Sequence, residues 1–161
     1  MRWMYLSLAL LGWSLTTAVQ ASWMDNSIVD RLTGRKIFRM ESKSRTSVTV
    51  YGHAVSPSLV IQCVRSPDTD PTLGFFIVFP QVVGFSDTQM RYRFDDGPAE
   101  SNGVGASRQG TYYQVITMGS FGDALRTAKR LRIDLQLPQS NAFLDFDTTN
   151  AGAAFEKVSC R

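Results

Sequence analysis

The segment from Leu131 to Leu137 alternates without a break. Leu131, Ile133, Leu135 and Leu137 share one side, and Arg132, Asp134 and Gln136 share the other. A period of two is that of a strand with one face buried and one face wet. Met90 to Asp95 repeats the pattern, with Met90, Tyr92 and Phe94 opposite Arg91, Arg93 and Asp95. Phe143 to Asp147 repeats it again, with Phe143, Asp145 and Asp147 opposite Leu144 and Phe146. A chain that carries this signal several times is constrained to build a sheet with one apolar face.

Further short runs rich in β-branched and aromatic residues fit the same scheme: Ile37–Met40, Ser47–Gly52, Leu59–Val64, Gly74–Pro80 and Tyr112–Met118. Ser56-Pro57, Ser66-Pro67-Asp68, Asp96-Gly97-Pro98 and the glycine-rich stretch Ser101–Gly110 separate them as turns. Ser22 to Lys36 is polar and turn-rich, with a turn at Thr33-Gly34. Phe75–Phe79 is apolar throughout, which predicts a central strand covered on both sides. Two stretches change period. Phe121, Ala124, Leu125 and Ala128 form a helical stripe, with Ser120 and Asp123 spaced as a capping box. Ala151 to Val158 is a second short helix, preceded by Asn150 as a cap and facing the core with Ala154, Phe155 and Val158. The expectation is a mainly β fold: a β-sandwich or a curled antiparallel sheet with two short α-helices.

The N-terminal segment carries Arg2 and an apolar run from Met4 to Leu15, followed by Val19-Gln20-Ala21. That is the layout of a signal peptide over residues 1–21, cleaved after Ala21, and the run is too short to span a bilayer. It leaves a single β-rich exported domain over 22–161 in the periplasm or outside the cell. Both cysteines lie in that part. Two thiols in an oxidising compartment permit one internal pairing, Cys63–Cys160.

Catalytic signals are thin. His53 is the single histidine, so no triad, Cys–His pair or ordinary zinc site can be assembled around it, and it reads as a rim residue. Asp95-Asp96, Asp145 with Asp147, and Asp68 with Asp70 are acidic pairs with the residue types of glycosidase or calcium chemistry. They read equally as turn residues and as a solvated strand face, with Asp145 and Asp147 placed to pair with Arg91 and Arg93. No cofactor motif and no metal-ligand spacing is present. The net charge of +3, or +2 after cleavage removes Arg2, is too balanced for a dedicated nucleic-acid binder. The candidate binding residues are Trp23, which is wasteful at a terminus unless it packs or anchors a partner; the basic Arg35, Lys36 and Arg39; and Arg91, Arg93, Asp95 and Asp96. The basic segment suits an anionic surface, including a peripheral contact with lipid headgroups.

Several of these features recur in a fixed order. Trp23 and Asp25 come first, then Leu59-Val-Ile-Gln-Cys63, then Tyr92-Arg-Phe-Asp-Asp-Gly-Pro98. An amphipathic helix, Phe143-Leu-Asp-Phe146, a small-residue helix with Phe155, and Cys160 follow. As an ordered set over Trp23 to Cys160, they resemble the VasI/TagO family of type VI secretion-associated exported proteins and related small exported bacterial or prophage proteins. Gly105-Ala106-Ser107 stands where such proteins carry a Trp-x-x-Ser stretch. The resemblance implies an envelope-associated accessory or binding protein with an envelope protein partner, connected with secretion. The residues also leave open an envelope hydrolase or lysis factor working through a carboxylate such as Asp95 or Asp145. In the accessory or binding protein the expected binding surfaces are the glycine-rich loop Asp96–Gly110 and the basic N-terminal segment, and a stoichiometric inhibitor or immunity-type protein acting through an exposed loop is open as well.

Overall fold

A computed structural model describes residues 23–84, 86–115, 119–158 and 160. The leader expected over 1–21 and the end of the Tyr112–Met118 run lie outside the described residues. In chain order the elements are β1 (Met24–Asp25), β2 (Ile28–Val29), β3 (Lys36–Lys43), β4 (Val48–Val50), β5 (His53–Val55), β6 (Ser58–Ser66), β7 (Thr69–Val78), β8 (Thr88–Phe94), β9 (Glu100–Ala106) and β10 (Tyr112–Val115). Then come α1 (Gly119–Thr127), β11 (Arg130–Gln136), β12 (Asn141–Asp147) and α2 (Ala151–Val158).

Ten of these strands form one antiparallel sheet in the order β1-β3-β6-β7-β10-β9-β8-β11-β12, with β2 also on β3. The sheet curls until its two sides meet. The outer edge of β3 pairs with β1 and β2 over Lys36–Glu41, and just beyond its end Ser44 bridges Phe146 of β12. The Arg45 N–H donates to the Asp145 carbonyl across the same seam at 2.7 Å. The fold is therefore the curled sheet rather than the two-sheet sandwich. Curling hides most of its edges, which would otherwise offer unpaired backbone groups.

The alternating residues behave as their period dictates. Leu131, Ile133 and Leu135 of β11, Met90 and Tyr92 of β8, and Leu144 and Phe146 of β12 all face the buried inside. α1 and α2 bury their apolar stripes against the same interior. Phe121 of α1 packs its ring 5.2 Å from Tyr92, 5.3 Å from Phe94 and 5.5 Å from Phe75, and Phe155 of α2 lies 5.6 Å from Phe75. The Cys63–Cys160 disulfide ties the segment after α2 to β6, with the two Cα atoms 5.6 Å apart.

Four sequence expectations are corrected. The stretch Ser101–Gly110 is not one long turn: its first part belongs to β9, held by β8 on one edge and β10 on the other, and only 107–111 turn. Two ladders outweigh the weak strand preference of glycine. Ser47–Gly52 is a shorter strand, β4. Tyr51 and Gly52, at φ 48° and 80°, form a two-residue hairpin loop leading into β5, which the sequence reading missed. β7 is central but not covered equally on both faces, since Phe75 and Ile77 are buried while Phe76 and Val78 are half-buried outside. α1 starts at Gly119, so Ser120 sits inside the helix instead of capping it. The turn-rich N-terminal stretch also holds the two short strands β1 and β2.

Candidate functional site

The polar faces of β8, β11 and β12 lie side by side on the outside of the curl. Arg93 pairs in register with Arg132, and Arg132 with Asp145; one step along, Arg91 pairs with Asp134, and Asp134 with Phe143. Two cross-strand rows, Arg93–Arg132–Asp145 and Arg91–Asp134–Phe143, thus stand about 6.6 Å apart by the rise of a strand. Together with Thr46, Ala99 and Arg130 they line a groove of about 440 Å³. It holds four arginines against two aspartates.

Part of this charge is already committed. Arg130 clasps Asp145 through two hydrogen bonds, Nε to Oδ1 and Nη2 to Oδ2, each 2.9 Å. That clasp holds the Asp145 carboxyl below the usual carboxylate range and raises the guanidinium; Arg45 and Arg132 lower Asp145 further. Arg132 donates through Nη2 to the Asp95 carbonyl and, at 3.1 Å, to the exposed Asp96 carboxylate. Its Nε is buried without an acceptor, and Asp134 Oδ1 is buried without a donor. Asp147 pairs with Arg45.

Arg91 and Arg93 belong to none of the four ion pairs among the described residues. The expected pairing of these two with Asp145 and Asp147 is corrected. β11 stands between β8 and β12, which puts the two outer strands about 9.6 Å apart, and the arginines of β11 and the seam reach the acids first. Phe143 remains 67% exposed at the edge of the groove.

Asp95 works on the backbone. At φ 47° its Oδ1 accepts the N–H groups of Lys129 and Arg130 at 3.0 and 2.9 Å, which fixes the start of β11 relative to the end of β8. Tyr92, under the groove, donates to Glu100 at 2.8 Å, and burial, reinforced by that carboxylate, pushes its phenol up to about 12.

The other candidates lie apart from this groove. Trp23 packs against the core and donates Nε1 to the Thr149 carbonyl at 3.2 Å, just ahead of α2. Arg39 pairs with Glu41 at 2.6 Å on the outer face of β3. Arg35 and Lys36 follow the exposed turn at Thr33-Gly34. That turn is held by Asp30, which accepts the N–H of Leu32 at 2.9 Å and the hydroxyl of Thr33 at 2.6 Å. His53 is exposed in the β4–β5 hairpin. Among the described residues no cluster of three or more His, Cys, Asp or Glu could hold a metal ion.

Of the groove residues, Arg91, Arg93 and Asp145 were singled out from sequence, while Arg130, Arg132, Asp134 and Phe143 were not; Asp95 and Asp96, also singled out, lie beside the groove and are held to it through Arg130 and Arg132. The signal for Arg132 and Asp134 was present in the polar face of the Leu131–Leu137 alternation, and that for Phe143 in the outer face of Phe143–Asp147. What sequence did not show was that β11 lies between β8 and β12. Compared with protein families, with curated proteins and with solved structures, the chain matches none.

Proposed function

We propose that this chain is an exported, non-enzymatic accessory protein of the bacterial envelope, associated with type VI secretion, that binds an envelope protein through the β8–β11–β12 groove. The observation that carries the reading is the pair Arg91 and Arg93, which belong to no ion pair among the described residues and line a surface groove with four arginines against two aspartates. Uncommitted charges lining a groove favour an occupant that supplies the missing partners. The Cys63–Cys160 pairing supports an oxidising location such as the periplasm, reached after cleavage at Ala21.

The carboxylate-hydrolase reading needs a free acid or base. Asp95 is committed to two backbone N–H groups and Asp145 to a guanidinium, which favours binding over hydrolysis. The test is capture from the native envelope after mild crosslinking, using tagged parent and the Arg91→Gln/Arg93→Gln double variant at equal melting temperature. One envelope protein is expected with the parent and not with the double variant. Equal capture by both, or degradation of peptidoglycan by the parent that Asp145→Asn abolishes, would overturn the proposal. A tight one-to-one complex that inhibits the captured protein would mark the inhibitor or immunity-type variant of the same reading. An intact mass of the exported protein tests the cleavage site.

A further inference from the structure

We infer that the groove receives an extended acidic strand of the partner, one with carboxylates at alternate positions. The inference deepens the binding reading above and rests on it.

The argument is one of spacing and complementary need. Arg91 and Arg93 project from the same face of β8, two residues apart, and belong to no ion pair among the described residues. Same-face residues of any extended chain recur at about 6.6 Å, so carboxylates at positions i and i+2 of a bound strand match the two guanidinia one to one. Asp134, in register with Arg91 on the adjacent strand, is half-buried, lines the groove and belongs to no ion pair among the described residues, so its carboxylate is a candidate acceptor for a peptide backbone N–H. Phe143, at the far side of the same row, offers an apolar surface for a side chain of the incoming segment.

The same features disfavour other polyanions. A lipid headgroup layer presents phosphates across the whole face, over Asp134 and Asp145 as well as over the arginines. Phosphates crowded onto the floor would face the carboxylates of Asp134 and Asp145. An acidic peptide places its charge where the arginines are free and presents a donor where the acid is.

The experiment uses the full chain from Ser22 onward, disulfide intact, and a fluorescein-labelled octapeptide alternating glutamate with threonine. Its controls are the same peptide with glutamine for glutamate, and phosphatidylglycerol vesicles. Fluorescence anisotropy is expected to show saturable binding that weakens as salt rises. Roughly tenfold or greater loss is expected for the glutamine peptide and for Arg91→Gln/Arg93→Gln with unchanged melting temperature. Phe143→Ala is expected to weaken binding without changing its salt dependence. Equal affinity for the two peptides, binding insensitive to the double variant, or no peptide binding overturns the inference. Vesicle binding that the double variant loses, without peptide binding, reassigns the groove to lipid headgroups. If the peptide fails while the double variant still loses the crosslinked envelope protein, the acidic strand is wrong and the binding groove stands. If the double variant captures that protein normally, both fall.

Discussion

Gly122 sits inside α1, where alanine is ordinarily the better residue by roughly 0.5–1 kcal/mol. Here the sign is expected to reverse. A Cβ on Gly122 would lie 2.9 Å from Cζ and 3.1 Å from Cε2 of Phe75, against an ordinary carbon–carbon contact of about 3.5–4.0 Å. Something must therefore move by about half an ångström or more. Phe75 has nowhere to go: it is 1% exposed, and its ring is pinned between Phe121 at 5.5 Å and Phe155 at 5.6 Å. Overpacking of this kind costs roughly 1–3 kcal/mol, which exceeds the helical gain and leaves Gly122→Ala about 1 kcal/mol less stable. Gly119, in the same helix, has nothing within 4 Å of its would-be Cβ, so Gly119→Ala is expected to be neutral or stabilising by up to about 1 kcal/mol. Urea unfolding of the two variants and the parent, with the disulfide intact, measures the contrast as opposite shifts in midpoint at constant slope. If Gly122→Ala unfolds at the parent's midpoint or above it, the close packing of α1 on Phe75 is refuted.

Three further outcomes are expected. Breaking Cys63–Cys160, which closes 97 residues of chain, should lower stability by up to about 4.7 kcal/mol; a urea midpoint unmoved by reductant would contradict this. Asp95→Ala should cost about 1–2 kcal/mol, by removing the acceptor of two exposed N–H groups and placing alanine at positive φ, while Asp95→Asn, which keeps an acceptor and tolerates positive φ, should cost clearly less. Chemical denaturation of both variants decides it, and loss of activity in a stable Asp95→Asn would instead favour a catalytic carboxylate. Asp145 is held below its usual range, chiefly by the Arg130 hydrogen bond. Its contribution is present above the unfolded carboxylate value of about 3.9 and fades as pH falls through the lower folded value. Stability measured from about pH 5 downward should fall less steeply in Asp145→Asn than in the parent.

Much of the architecture was legible because its signals are local. A period of two marks β8, β11 and β12, and a period of 3.6 marks α1. Ala151–Val158 is a helix with the expected bounds, since small and apolar residues at helical spacing need only a nearby surface to bury against. Other features were illegible because their cause is remote. β9 reads as a glycine-rich turn until two neighbouring strands claim its backbone. Trp23 could pack or anchor a partner, and the Thr149 carbonyl, far along the chain, is what receives it.

The groove divides along the same line. That Arg91 and Arg93 share a polar face, and that Arg132 and Asp134 share another, was determined by sequence, because alternation is set by the pleat of a single strand. That these faces are neighbours, that Arg130 takes Asp145 and so leaves the β8 arginines without an ion pair among the described residues, and that Phe143 flanks them was decided only by the tertiary structure. Strand order is a property of pairings between distant segments. Each segment carries its own period but no record of which edge it will meet.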